Sequence, residues 1–211
     1  MSFKKNKYIV LKQAISPELA SFVYNYFLHK RTAARFLFDQ KYLSPFNTEY
    51  GVWNDEQVPN TYSHYSDMVM ETLLGKLNPK MESETGLKLY PTYSYARIYK
   101  KGDILARHKD RYSCEVSTTL NLGGESWPIY LDPTGKTGQA GIKVELKPGD
   151  MLIYSGCELE HWREPFEGKD CAQVFLHYNN AKAKSAKENK FDKRPMLGLP
   201  SYYKGFTVPK K

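Results

Sequence analysis

Cysteine is scarce in this chain, and what there is does not pair. Cys114, Cys157 and Cys171 are odd in number, widely spaced and free of any Cys-x-x-Cys arrangement. That excludes a disulfide framework and a zinc knuckle, and it predicts three reduced thiols. Long apolar runs are also missing, so no segment reads as a bilayer span. The opening Met1-Ser-Phe-Lys-Lys lacks the apolar core of a signal peptide. The expectation is a soluble cytoplasmic protein. No internal repeat is visible, and a phosphate loop is absent too. Pro133-Thr-Gly-Lys-Thr-Gly138 has Tyr130 where the full pattern needs a glycine, so it reads as a hairpin tip.

What the chain has is enough material for one well-buried domain: 211 residues, 41% apolar and 14% aromatic. The net charge of +8 is concentrated at the end of the chain. Residues 181–211 hold nine Lys or Arg against Glu188 and Asp192, which leaves about +1 for the first 180 residues. A near-neutral body argues against a nucleic-acid partner, and the end of the chain reads as a solvated basic tail.

Lys7–Leu11 reads as a short strand. Ser16-Pro-Glu18 opens a helix with a capping hydroxyl, a proline in the first turn and an acid after it, and Leu19, Phe22, Val23, Tyr26 and Phe27 follow at helical spacing. Residues 39–62 read as a loop covering one end of the fold, with Trp53 as an anchor. A second helix is predicted from about Tyr65 to Leu77, with Met68, Val69, Thr72, Leu73 and Leu77 on one side, ending or bending at Asn78-Pro79.

From Leu87 onward, short runs rich in β-branched and aromatic residues alternate with turns such as Gly123-Gly124 and Pro148-Gly-Asp150. Seven strands are predicted: 89–99, 105–110, 115–122, 127–131, 142–146, 151–154 and 172–178. Helices followed by many strands give an α+β fold, a sandwich or jelly roll braced by N-terminal helices. The boundaries are helical support over about 1–86, β core over about 87–180, and tail over 181–211.

Within the strands, His108-Lys-Asp110 puts an imidazole and a carboxylate two residues apart, on one face. His29 lies on a helix, His64 precedes one, and His177 ends an apolar run, so each is set aside as a packing or surface residue. His161 follows the turn and buried strand Lys147–Gly156 and sits in the polar, aromatic stretch Glu158–Pro165. Two histidines and a carboxylate can hold Fe(II) on one face and leave three positions open.

At this point the stretch 99–178 resembles the catalytic core of Fe(II)/2-oxoglutarate dioxygenases, and specifically the prolyl 4-hydroxylase branch in its minimal microbial or viral form. Tyr99 stands nine residues before His108. His-x-Asp, the strand residues Val116-Ser-Thr118, a Pro-Gly-Asp turn and a distal histidine follow in the same order, and Lys169-Asp-Cys-Ala-Gln-Val-Phe-Leu-His177 is similar to the family's final strand. The resemblance implies a double-stranded β-helix, with Fe(II) held by His108, Asp110 and His161. It implies 2-oxoglutarate and O2 as co-reactants, with ascorbate as an accessory reductant. Tyr99, Thr118 and Lys169 would bind the far carboxylate of 2-oxoglutarate, and Arg163 is the other candidate cation because the interval from His161 to Lys169 is shorter than the family's. Trp127, Tyr130 and Trp162 are candidates for substrate contact. The implied activity is hydroxylation of a protein or peptide residue, proline foremost. The alternatives are the same chemistry on a free amino acid, another side chain or a nucleobase, or a non-catalytic jelly-roll or cupin module.

Overall fold

The structure, a computed structural model, describes residues 2–207. A short helix α1 (Phe3–Asn6) and strand β1 (Tyr8–Leu11) lead into α2 (Pro17–Asp39). That helix starts where the sequence predicts, because the Ser16 hydroxyl accepts the Leu19 N–H at 3.1 Å. It buries Ala20, Val23, Phe27 and Ala34, spaced three, four and seven residues apart. Phe22 is 67% exposed, one step outside that stripe, and so leaves the predicted core face.

The second helix differs from its prediction at both ends. Residues Tyr62–Tyr65 form strand β2, and α3 runs Met68–Thr85, capped by the Asp67 carboxylate on the N–H groups of Val69 and Met70. Pro79 sits inside α3 without ending it. The carbonyl that loses its partner there belongs to Gly75, and both residues are on the solvent side, where water can replace the lost bond.

The remaining strands are β3 (Leu89–Lys100), β4 (Leu105–His108), β5 (Val116–Gly124), β6 (Ile129–Leu131), β7 (Ile142–Val144), β8 (Met151–Ser155), β9 (His161–Arg163) and β10 (Asp170–Asn180). All seven predicted strands are present, with shifted ends, while β2 and the three-residue β9 escape the sequence reading. Every pairing is antiparallel: a six-stranded sheet β1-β8-β5-β10-β3-β2 and a four-stranded sheet β4-β9-β6-β7. This is a jelly-roll arrangement, and residues of both sheets line one cavity between them.

The large sheet is buried on both faces, which is why its strands read as nearly unbroken apolar runs. On its outer face Ala96 and Ile98 of β3, Val174, Leu176 and Tyr178 of β10, and Leu120 and Leu122 of β5 pack with Phe27, Met70, Leu74 and Leu77 of the helices. Phe27 is fully buried there, and truncating it to Ala should cost about 3–5 kcal/mol. From Tyr93 onward the odd-numbered residues of β3, namely Tyr93, Tyr95, Arg97 and Tyr99, point the other way and line the cavity.

The loop over residues 39–62 does cover one end of the barrel, and Trp53 anchors it against Tyr62 and Phe38, with ring centroids 4.8 and 5.9 Å away. The lysines of the basic stretch, Lys182, Lys184, Lys187, Lys190, Lys193 and Lys204, are exposed, but the segment that carries them is docked. Helix α4 (Ala186–Asn189) is followed by a segment whose Arg194 is buried in a bidentate pair with Glu71 of α3, Nη2 to Oε1 at 2.7 Å and Nη1 to Oε2 at 3.2 Å. The Arg194 side chain also donates to the Thr92 carbonyl at 3.1 Å. A desolvated pair of this kind fixes the segment in place, since leaving either charge alone would cost about 3–5 kcal/mol. Lys210 and Lys211 lie outside the described residues. Among the described residues no helix is long and apolar enough to cross a membrane.

Candidate metal centre

Strand pairing assembles the site. His108 at the end of β4 and His161 at the start of β9 are direct cross-strand partners, so their rings project from one face of the small sheet, centroids 4.3 Å apart. Asp110 follows β4 and is tied by its N–H to the Gly156 carbonyl at 2.9 Å. This aims the carboxylate between the rings: Oδ1 lies 3.6 Å from His108 Nε2 and 3.5 Å from His161 Nε2.

The tautomers follow from the neighbours. His108 Nδ1 faces the Ala106 carbonyl at 2.7 Å and His161 Nδ1 faces the Leu159 carbonyl at 3.1 Å. A carbonyl only accepts, so both Nδ1 atoms carry the proton and both Nε2 atoms present lone pairs. Burial by itself would raise the Asp110 carboxyl, but the His108 and His161 imidazoles beside it hold it well below the usual carboxylate range. For His108 burial opposes the charge, and Asp110 with the Ala106 carbonyl outweighs it and raises the imidazole above its ordinary value. Two imidazole nitrogens and an anionic oxygen within 4.8 Å of one another form a donor set suited to a divalent metal.

Two residues support Asp110 from behind. The Ser117 hydroxyl donates to Oδ2 at 2.6 Å and accepts from His177 Nδ1 at 3.0 Å, which leaves the buried His177 ring neutral, its acidity pushed to about 4 by burial. A Cβ at Gly156 would collide with Asp110 Oδ2, the Cys114 carbonyl and Ser117 Oγ, so only glycine allows the carboxylate this close. Asp110, Cys114 and His177 also approach within ligating distance of one another. That second group is a poor metal site: burial pushes the Cys114 thiol up to about 12, and His177 Nδ1 is already committed to Ser117.

A cavity of about 350 Å³ opens at the cluster, its lining including the apolar and aromatic Tyr99, Leu105, Ile129 and Tyr154 and the charged Asp55, Arg97, Lys109 and Arg111. Asp55 and Gln57 of the covering loop bond Arg97, at 2.7 Å for the carboxylate and 3.2 Å for the amide oxygen, and the Gln57 amide donates to His108 Nε2 at 3.2 Å. Of the loop residues, Gln57 therefore reaches the metal-facing lone pair itself.

The residues named for 2-oxoglutarate divide. Tyr99 is buried, lines the cavity and accepts from Arg97 Nη1 at 3.3 Å. Lys169 is exposed just before β10, bonded among the described residues only through its N–H to Glu125, and is not among the residues lining the cavity. Arg163 is 1% exposed inside the barrel beside Tyr99 and Tyr154. It donates to the Trp127 carbonyl and to Thr119 Oγ1 at 3.3 Å, its guanidinium lies 4.9 Å from the Trp127 ring centroid, its Nε has no partner, and no carboxylate pairs with it among the described residues. Burial lowers its affinity for its proton.

Thr118, expected beside 2-oxoglutarate, points toward β10. Its hydroxyl accepts the Leu176 N–H at 3.1 Å, while its neighbour Thr119 turns inward to Arg163 and Gln173. The same alternation removes Trp162 and Tyr130 from the cavity: they stack on each other at 5.5 Å on the outer face of the small sheet, with Arg107 4.0 Å above Trp162. Trp127 is inside the barrel but packs on Tyr99 and Phe166, not at the mouth.

Sequence reasoning missed Arg97, Ser117, Thr119, Gly156 and His177. For Arg97 a signal existed, a lone charge alternating with tyrosines inside a strand.

No protein-family model matches the sequence, and no curated protein does. Solved structures are similar in fold. A prolyl-4-hydroxylase from Pseudomonas putida superposes with a TM-score of 0.57 at 14% identity, over 84% of this chain and 95% of that one. The viral collagen prolyl hydroxylase of Paramecium Bursaria Chlorella virus-1, in complex with 2-oxoglutarate, gives 0.54 at 13% identity over 83% and 97%. SnoK, a non-haem α-ketoglutarate-dependent carbocyclase from nogalamycin biosynthesis, gives 0.60 at 10% identity over 94% and 90%. At these identities the likeness establishes the fold: the chain is built as these oxygenases are.

Proposed function

We propose that the chain is an Fe(II)- and 2-oxoglutarate-dependent dioxygenase with a double-stranded β-helix core, one catalytic unit over residues 1–180 with the C-terminal segment docked on it. The observation that carries this is the convergence of His108 Nε2, His161 Nε2 and Asp110 Oδ1 beside a buried cation that has no anion of its own among the described residues. The donor set fits Fe(II): neutral nitrogen and anionic oxygen, with no thiolate that would close the site. Fe(II) bound there would supply O2 activation, coupling the oxidative decarboxylation of 2-oxoglutarate, to succinate and CO2, with insertion of one oxygen into a substrate C–H bond.

The chain's own residues supply the rest. Asp110 and the two imidazoles are held in place by Ser117, Gly156 and the Ala106 and Leu159 carbonyls. Arg163, Thr119 and Tyr99 bind the far carboxylate of 2-oxoglutarate, because a guanidinium buried without a counter-ion is stabilised by a carboxylate that presents itself bidentately. Asp55 and Gln57 exclude water once both co-reactants are in place.

The substrate in this reading is a protein or peptide residue, with proline foremost, supported by the resemblance over residues 99–178 and by the fold shared with a bacterial and a viral prolyl hydroxylase. A second reading, the same chemistry on a small molecule, is supported by the cavity of about 350 Å³ and the covering residues Asp55 and Gln57. Three unpaired thiols support a cytoplasmic setting. The test incubates the protein with Fe(II), 2-oxoglutarate, O2 and ascorbate and follows succinate, then offers proline-rich peptides and follows a mass gain of one oxygen. Succinate without peptide oxidation selects the small-molecule reading. No succinate from the iron-loaded protein refutes the proposal.

A further inference from the structure

Arg111 follows the carboxylate Asp110, and its side chain lines the mouth of the cavity with Lys109. Two groups hold it there. Its Nε donates to the Tyr93 hydroxyl at 3.4 Å, with the guanidinium 4.7 Å from the Tyr93 ring centroid, and its Nη2 lies 3.3 Å from Asp192 Oδ2. Asp192 comes from the docked C-terminal segment, where Phe191, Asp192 and Lys193 take φ values of 54°, 55° and 66° in succession. L-residues avoid this left-handed region, and three in a row persist only where the surroundings over-determine them. Here the Asp192 carboxylate does so: Oδ2 also accepts the Tyr65 hydroxyl at 2.6 Å and the Lys204 ammonium at 2.7 Å.

The charges around this wall do not balance. Asp192 is shared between Lys204 and Arg111, with Lys204 the nearer, and Asp55 is taken by Arg97. Lys109 has no carboxylate partner among the described residues, and Arg111 Nη1 makes no hydrogen bond. With Asp110 of the cluster counted, four cations thus face three carboxylates, leaving one positive charge in excess at the rim of a low-dielectric cavity, where its field is focused.

We propose that Arg111, with Lys109, is the substrate-recognition pair, and that the substrate presents a carboxylate to it while its reactive carbon lies over the metal cluster. Asp192 is a positioning residue: it fixes the guanidinium from the C-terminal segment without itself meeting the substrate. The carboxylate can belong to a small acid or to an acidic residue of a peptide, and the chemistry recognised is the same. This inference rests on the oxygenase reading above.

The test uses the full-length protein loaded with Zn(II), which cannot turn over, and isothermal calorimetry. 2-Oxoglutarate is titrated first, and failure to bind it counts against the oxygenase reading alone. Probes follow, with or without it: N-acetyl-L-proline against its primary amide, and a proline-glutamate tetrapeptide against its proline-glutamine twin. In at least one pair the acid should bind tighter than its neutral partner by about tenfold or more, and the pair that does so identifies the source of the carboxylate. Arg111→Gln should bring that ratio near one, and Arg111→Lys should restore part of it. Asp192→Asn should lower the ratio, whereas mere unfolding of the segment would weaken acid and neutral probe alike and leave it unchanged. Ratios near one in both pairs, no binding by either acid, or a ratio that survives Arg111→Gln would overturn the inference.

Discussion

Replacing Arg163 by Met removes the buried guanidinium while keeping most of its length. In the ligand-free protein this cation has no carboxylate partner among the described residues, and an isolated buried ion costs several kcal/mol after relaxation. Against that stand two hydrogen bonds, to the Trp127 carbonyl and Thr119, worth about 1 kcal/mol each. The Trp127 ring adds about 1–2 kcal/mol. The opposing contributions are similar in size, so Arg163→Met should leave apo stability within about 2 kcal/mol of wild type, on either side, whereas a typical large buried truncation costs about 2–5 kcal/mol. The ligand response should differ completely. With Mn(II) and anaerobic 2-oxoglutarate at a hundredfold excess over its dissociation constant, wild type should gain about 2.7 kcal/mol, since stabilisation grows as the logarithm of occupancy. Arg163→Met should gain almost nothing, and Lys169→Ala should gain as much as wild type. Urea denaturation with and without 2-oxoglutarate reads both quantities. Full 2-oxoglutarate stabilisation in Arg163→Met, or its loss in Lys169→Ala, would refute the assignment of the buried cation.

Three further outcomes are expected. Gly156→Ala should displace the Asp110 carboxylate and weaken Mn(II) binding by tenfold or more, about 1.4 kcal/mol, read by electron paramagnetic resonance titration; unchanged affinity would mean that Asp110 is not aimed by this close approach. His108→Ala and Asp110→Ala should abolish metal-dependent turnover, while His64→Ala, whose ring meets Asp67 at 3.2 Å away from the cluster, should lower stability and keep the metal. Asp67 is a buried acceptor for Lys30 at 2.5 Å and for His64, and although burial opposes its charge, these partners hold its carboxyl well below the ordinary value. A depressed carboxyl stabilises the fold fully above the unfolded value of about 3.9 and loses that contribution as pH falls through the lower folded value. Asp67→Asn should therefore cost about 3 kcal/mol near neutrality, and its deficit should shrink below about pH 4; a deficit that stays constant down to pH 2 would contradict the pairing.

Local physics made much of this protein legible in its sequence. The Ser16-Pro17 cap, the apolar strand runs, and the order of Tyr99, His108, Asp110 and His161 are set by short-range chemistry. The structure does bring those three ligating side chains together. What the sequence could not decide is which way neighbouring residues face and what lies far away along the chain. A strand turns successive side chains to opposite faces, so its register with partner strands settles whether Thr118 or Thr119 enters the barrel, and whether Trp162 or its neighbours His161 and Arg163 do. Lys169 is the expected anchor by position and lies before its strand, exposed, while Arg163 is buried against Trp127 and Thr119, residues distant in sequence.

The docking of the basic stretch at the end of the chain was the least legible feature. Its charge pattern reads as a solvated tail, because nothing local reveals that Glu71, 123 residues earlier, waits as a buried partner for Arg194. Composition and spacing pointed to an α+β sandwich or jelly roll and to the His108–Asp110 pair with His161, and the resemblance over residues 99–178 implied that these three are the metal ligands. Tertiary structure alone decided which cation is buried without a counter-ion, which carboxylate holds Arg111 at the cavity mouth, and which glycine lets Asp110 approach, since each depends on groups that meet only when distant strands pair.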